Sequence, residues 1–349
     1  MKLYQTVRKR ITEGVYPYGT KLPSKRNMAS EQNVSVITVE HAYGILCDEG
    51  YVESRQRSGY FVAYRKSDFA SVPEQKAFFV PPVKRNDSDE SFPFSVFSGT
   101  MRNVLTKYGE NVLTKSPNAG CMELRRAISS YLARSRDITV SPNQIVIGSG
   151  AEYLYGLIVQ LLGRNRVYAL ENPSYEKIRA VYEGNGAKCD MLTMGQDGIL
   201  SSELYRTGAT CLHVTPFHSY PSGVTATASK RNEYLEWAKK RNGFIVEDDF
   251  DSEFTVSKKH EETVFSLDDG ERVIYVNTFS KTVAPSMRVG YMVLPEQMGT
   301  WFSEKIGFYS CTVPVFEQYV LAELIESGDF ERHINRVRRK RRTEKHEAK

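Results

Sequence analysis

The 349 residues, 40% hydrophobic and 26% charged, are enough for two or three soluble domains with a sizeable core. No apolar run approaches the roughly 18 residues of a membrane span. The start, MKLYQTVRKR, lacks the apolar core of a secretion signal, and five scattered cysteines without CxxC spacing read as reduced thiols, so the expectation is a cytoplasmic protein without a disulfide framework or zinc site. The net charge of +5 is concentrated at the front, where residues 1–66 hold 11 Lys/Arg against 6 Asp/Glu and the remainder balances, the pattern of a small basic domain that meets phosphates.

Leu3, Val7 and Ile11 recur at helical spacing, and YPYGTKLP then ends the helix. A second short helix fits SKRNMASEQ. After a turn at Asn33 and Val34, Ser35 caps a third helix that places Val39, Ala42, Tyr43 and Leu46 on one face and Val36, Thr38, Glu40 and His41 on the other, with Gly50 at its end. GYVESRQRSGYFVAY follows as two short strands around a turn carrying Arg55 and Arg57. Three helices plus such a hairpin make a winged helix, whose third helix reads a major groove, or a three-helix protein-interaction module.

This region resembles the GntR-type winged helix, whose LPSxR and GY(V/L)xxRxGxGxFV signatures stand here as LPSKR and GYVESRQRSGYFV. The resemblance implies Arg26, Ser35, Thr38, Arg57 and Gly59 as contacts to double-stranded operator DNA. Many GntR-type proteins carry an arginine directly after the serine, where this chain has Val36, so base preference does not carry over, whereas phosphate anchoring by Arg26 does.

From Arg65 to Ser91 the chain is polar and proline-bearing without a sustained period, the pattern of a linker. The expected organisation is a DNA-binding domain over 1–64, a linker over 65–91 and a large domain over 92–349. In the large domain QIVIG, RVYALE, ATCLHVTP, GFIVED and RVIYVN read as buried strands, with SYEKIRAVYEGN and KRNEYLEWAKKRN as helices between them. That alternation predicts an α/β fold with a mostly parallel sheet, and in such sheets ligands sit beyond the carboxyl ends of the strands. The residues found there are Ser149, Gly150 and Ala151 opening a helix; Tyr175 in NPSY; His218, Tyr220, Ser222 and Gly223 in TPFHSYPSG; Asp248, Asp249, Phe250 and Asp251; and NTFSK with Lys281, followed by Arg288. Singly each is weak, and EDDFDSEF in particular reads equally as a solvated acidic loop or a poor calcium loop. Together they set a phosphate cradle, an aromatic, an acid and a lysine around one sheet edge. Pyridoxal phosphate chemistry requires that set: an amine for a Schiff base, a carboxylate to keep the pyridine nitrogen protonated, and donors for the phosphate. Lys281 is then the expected Schiff-base lysine. The basic stretch ERHINRVRRKRRTEKHEAK that closes the chain reads as a solvated helix face, with a second nucleic-acid patch as the other possibility.

From Phe92 onward the order and spacing of these motifs resemble fold type I aminotransferases of class I/II, and the whole chain resembles the MocR subfamily of GntR regulators. Position by position, the resemblance makes Asp248 the partner of the pyridine nitrogen, Thr278, Ser280 and Arg288 phosphate ligands together with the Gly150–Ala151 helix start, and Tyr175 the residue stacked on the ring. It implies a homodimer with two winged helices on paired half-sites, and a transcription regulator that senses the cofactor or a small amino compound. Lys281 is expected in a desolvated, positively charged setting that favours its neutral amine.

Three departures qualify that picture. Family members usually carry a tyrosine where this chain has Phe250. Active aminotransferases place an asparagine before the proline of NPxG, where this chain has Tyr220 in YPSG, whose hydroxyl is a candidate for the same contact to the cofactor's phenolic oxygen. Related proteins continue past HEAK through a small domain bearing a carboxylate-gripping arginine, so the C-terminal part is expected to be incomplete. An aminotransferase with an attached DNA-binding domain and a truncated inactive product are therefore the alternatives to a regulator.

Overall fold

The computed structural model describes residues 2–65, 90–250, 252–255, 262–268 and 270–347. Most of the expected linker, residues 66–89, lies outside them, as does Asp251. The chain divides into two compact units, Met1–Arg85 and Asn86–Lys349.

The first unit holds α1 (Lys2–Thr12), α2 (Lys25–Glu31) and α3 (Val36–Asp48), then a hairpin of β1 (Val52–Arg55) and β2 (Gly59–Val62). Leu3, Tyr4, Val7 and Ile11 form one stripe of α1 and close on Met28, Val39, Tyr43 and Leu46, as an amphipathic helix of period 3.6 must. α2 and α3 both start on a serine cap: the Ser24 hydroxyl accepts from the Asn27 amide at 3.2 Å and that of Ser35 from the Thr38 amide at 3.1 Å. Arg55 pairs with Gly59 across the hairpin. Arg57 at its tip has φ 58° and Gly59 φ 111°, left-handed values that let so short a connection turn back.

In the second unit the helices run α4 (Phe94–Tyr108), α5 (Met122–Arg136), α6 (Ala151–Leu162), α7 (Glu176–Gly184), α8 (Ser201–Arg206), α9 (Ala228–Arg241), α10 (Val264–Leu267), α11 (Met298–Lys305), α12 (Val315–Glu326) and α13 (Asp329–Glu347). The strands are β3 (Ile145–Gly148), β4 (Val167–Asn172), β5 (Lys188–Thr193), β6 (Cys211–Val214), β7 (Phe244–Asp248), β8 (Val273–Thr278) and β9 (Gly290–Val293). They make one seven-stranded sheet in the order β3-β9-β8-β7-β6-β4-β5, in which only the two ladders of β9 are antiparallel.

Alternate residues of each strand feed two cores. Val146, Tyr168, Val246 and Val276 meet α6, α7 and α11 on one face. Ile147, Ala169, Ile245 and Tyr275 meet α4, α5, α9, α12 and α13 on the other. This is the layering of a sheet buried on both sides. No described helix is long and apolar enough to cross a membrane.

The closing basic stretch is α13, and it is not simply a solvated face. Phe330, His333, Ile334 and Val337 are buried. Arg341 grips the Glu90 carboxylate at 2.8 and 2.9 Å, and Arg338 donates to the Glu253 carbonyl. Those arginines are engaged by the domain itself.

Candidate functional site

The parallel strands bring their carboxyl ends to one edge, and that edge borders a cavity of about 290 Å³. Asp248 ends β7, Thr278 ends β8, Thr215 follows β6 and Ala151 opens α6. All of them line the cavity with Tyr175, Tyr220, Ser280, Lys281 and Arg288. Gly150, the remaining expected cofactor residue, is the N-cap of α6 with φ 92°. A Cβ there would lie 3.0 Å from Arg288 Nη2 and 3.3 Å from its Cζ, so only glycine both adopts this backbone and lets the guanidinium lie against the helix start. Gly290 is needed on the other side, where a Cβ would meet the Asn277 carbonyl oxygen at 3.0 Å and Gly150 Cα at 3.2 Å.

Asp248 is buried at the cavity wall. Its Oδ2 accepts the Tyr155 hydroxyl proton, while Oδ1 is buried without a hydrogen-bond partner. Burial pushes its carboxyl up to about 7, outweighing the Tyr155 hydroxyl and the Phe250 backbone amide that favour the charged form. Behind it lies His213, with Nε2 3.9 Å from Oδ2 and Nδ1 sharing a 2.9 Å hydrogen bond with the Tyr182 hydroxyl. Burial pushes the imidazole down to about 3, so it is neutral at physiological pH. The Tyr155 and Tyr182 rings pack edge-on to it at 5.0 and 5.6 Å. A cationic N–H donor opposite Oδ1 would both satisfy that oxygen and return Asp248 to its charged form, and this is what the protonated pyridine nitrogen of pyridoxal phosphate offers.

The donor end is arranged around α6. Ser280 N donates to Thr278 Oγ1 at 3.1 Å, and the Ser280 hydroxyl donates to the Met287 carbonyl at 2.9 Å. Arg288 Nη2 lies 3.7 Å from Glu152 Oε2, and Lys177 Nζ lies 3.5 Å from Glu152 Oε1. One glutamate in the first turn of α6 thus stands between two cations. With the α6 amides, Arg288 and the Thr278 hydroxyl, the residues fit a phosphate.

Lys281 differs from expectation. It is exposed, its ammonium 5.1 Å from the centre of the Phe250 ring, so burial does not supply the dry setting the sequence suggested. Tyr175 and Tyr220 flank the mouth, both exposed, with rings edge-on at 6.1 Å.

EDDFDSEF is not a solvated acidic loop. Asp249 and Glu253 are buried on the far face of the sheet, where Arg136 Nη2 reaches Asp249 at 3.2 Å and Glu253 at 3.7 Å. Tyr275 donates to Asp249 at 2.6 Å and Asn277 to Glu253 at 2.7 Å. No group of acidic, histidine or cysteine side chains able to hold a metal is found among the described residues.

Tyr155, His213, Tyr182 and Thr215 escaped the sequence reading. A histidine inside the apolar run CLHV was the available signal, since an imidazole in a buried strand must find polar partners.

In the first unit Arg26 and Arg57 are exposed. Ser35 and Thr38, expected as DNA contacts, have their hydroxyls joined to each other at 2.8 Å, besides the cap bond from the Thr38 amide to Ser35. Gly59 serves the hairpin through its φ of 111°, a conformation that side chains rarely adopt.

Comparison with known proteins agrees with both units. Residues 1–62 match bacterial regulatory proteins of the gntR family, and residues 106–348 match aminotransferase class I and II. The chain is 34% identical to the uncharacterized HTH-type transcriptional regulator YdeL of Bacillus subtilis, over 97% of this chain and 75% of that one. It is 28% identical to the probable rhizopine catabolism regulatory protein MocR of Rhizobium meliloti, over 97% and 74%. Among solved structures, an archaeal alanine:glyoxylate aminotransferase superposes with a TM-score of 0.65 at 26% identity, covering 71% of this chain and 63% of the enzyme. The chain thus spans less than two thirds of that enzyme's length.

Proposed function

This chain belongs to the aminotransferase class I and II family and carries a gntR-family winged helix in front, as HTH-type transcriptional regulators of the MocR type do, and from that premise we propose that its cavity binds pyridoxal phosphate to control binding of operator DNA. When bound, that cofactor supplies an aldehyde that condenses with amines and a ring that accepts electrons. The observation that carries the reading is the buried, unpartnered Oδ1 of Asp248 in the same cavity as the Lys281 amine.

Each residue then has a task. Asp248, held by Tyr155, pairs with the ring nitrogen. The α6 amides, the Thr278 hydroxyl and Arg288 hold the phosphate, with Gly150 admitting the guanidinium, while Ser280, whose N–H goes to Thr278 and hydroxyl to the Met287 carbonyl, shapes the loop. Tyr175 covers the ring face, and the Tyr220 hydroxyl takes the phenolic oxygen that Phe250 cannot bond. Lys281 presents its amine to the aldehyde, and an amino compound competing for that carbon is the effector. For such a ligand to regulate, it must favour one of two conformations of a DNA-binding homodimer.

The direct test is the visible absorption of the purified chain with pyridoxal phosphate beside that of Lys281→Ala. A band confined to the wild type is expected; equal spectra would remove the cofactor from the proposal. Salt-sensitive binding to DNA upstream of the chain's own gene, weakened in Arg26→Ala and Arg57→Ala, tests the other half.

A further inference from the structure

We propose that α3 reads its operator through thymine methyl groups, with Ile37 and Val36 as the reading side chains and Gly44 as the point where the DNA comes closest; this rests on the DNA-binding reading above. The outward face of α3 carries Ile37, Glu40, His41 and Gly44 at helical spacing, opposite the buried Val39, Ala42, Tyr43 and Leu46. Ile37 is 78% exposed and Val36 43%. Two adjacent β-branched apolar residues thus stand in water on the first turn of a helix whose N-terminal residues are the ones that reach base edges. Among the base edges in a major groove, only thymine offers a methyl group.

Two further features of this face point to nucleic acid as the occupant. Glu40, the one carboxylate among those four residues, is paired with Lys25, which partly offsets a charge that would repel phosphates, while Arg26 and Arg57 are exposed in a unit with a surplus of basic residues. Gly44 has nothing within 4 Å of the position a Cβ would take. Glycine inside a helix is destabilising, and no internal contact explains this one. An approaching backbone or base edge does.

The test uses the full chain and a duplex enriched by it from a random double-stranded pool. Replacing each thymine in turn by deoxyuridine deletes one methyl and nothing else. At one or two positions per half-site the affinity is expected to fall about fourfold, the worth of one buried methyl. In Ile37→Ala the replacement at the thymine that Ile37 reads becomes neutral, any position read by Val36 staying sensitive, while folding is unchanged, because the side chain is exposed. Gly44→Ala is expected to raise the melting temperature yet weaken binding to every duplex. Salt-sensitive binding that ignores uracil at all positions would overturn this inference and leave the regulator reading intact. Failure to enrich any duplex overturns both, and would make the face a protein-docking surface.

Discussion

The two units keep their polar groups in opposite places. In the winged helix the residues assigned to a partner are at the surface, and the core of Leu3, Val7, Met28, Val39, Tyr43 and Leu46 is wholly apolar or aromatic. In the large unit Lys281, Arg288, Tyr175 and Tyr220 are exposed but the carboxylates are inside: Asp248, the last residue of β7, and Asp249 after it point to opposite faces of the sheet, one toward Tyr155 and the cavity, the other toward Arg136 and Tyr275. A surface site can be changed at little structural cost, whereas a buried one couples function to folding.

The strongest way to break that contrast is Arg136→Leu. Removing the guanidinium leaves Asp249 and Glu253 buried without their cation, and losing one partner of a buried ion pair costs about 3–5 kcal/mol. The denaturation midpoint of the large unit should drop accordingly, with the winged helix unaffected.

Asp248→Asn comes next and should act in two directions. Loss of the charge-assisted bond to a ring nitrogen, worth about 1.5–3 kcal/mol, predicts roughly 10- to 100-fold weaker retention of pyridoxal phosphate. Without cofactor the same change should stabilise the protein at pH 8. The folded carboxyl titrates at about 7, above its ordinary value near 4, so between those values the folded state binds more protons than the unfolded one and stability falls as pH rises. Glu171 and Glu247, raised by burial to about 7 and 8, and Glu253, raised by its burial, act in the same sense. Unfolding of the cofactor-free chain should therefore be easier at pH 8 than at pH 5, the difference shrinking in the variant.

How legible these features were follows the same division. The helices and hairpin of the first unit lie where hydrophobic period, serine caps and turn residues put them, because each is decided locally. In the large unit the long apolar strands were readable, but β5 and β9 were not. β5 is an edge strand interrupted by Lys188 and Asp190, and β9 is four residues after a loop whose role depends on pairing with β3 and β8. Asp248 was legible from its place at a strand end. Tyr155, His213 and Tyr182 were not, since α6, β6 and α7 meet only once the sheet is assembled. Nor could the exposure of Lys281 be read, because burial beyond a strand end is decided by tertiary packing.

The smallest effects separate contact from scaffold within the winged helix itself. Ser35 resembles a DNA contact in sequence, yet its oxygen already accepts from the Thr38 amide and its hydroxyl is joined to that of Thr38. Ser35→Ala should therefore lower the stability of this unit by about 1 kcal/mol, the usual cost of losing an N-cap, with the affinity of the folded protein for DNA nearly unchanged. Arg57, in a left-handed conformation at the hairpin tip, should behave in the reverse way. Alanine there removes no packing, so the melting curve stays put, while the slope of log affinity against log salt falls by about one for each phosphate the guanidinium had neutralised. If instead Ser35→Ala weakened DNA binding at unchanged stability, the cap would be a contact after all, and the distinction between the two residues would disappear.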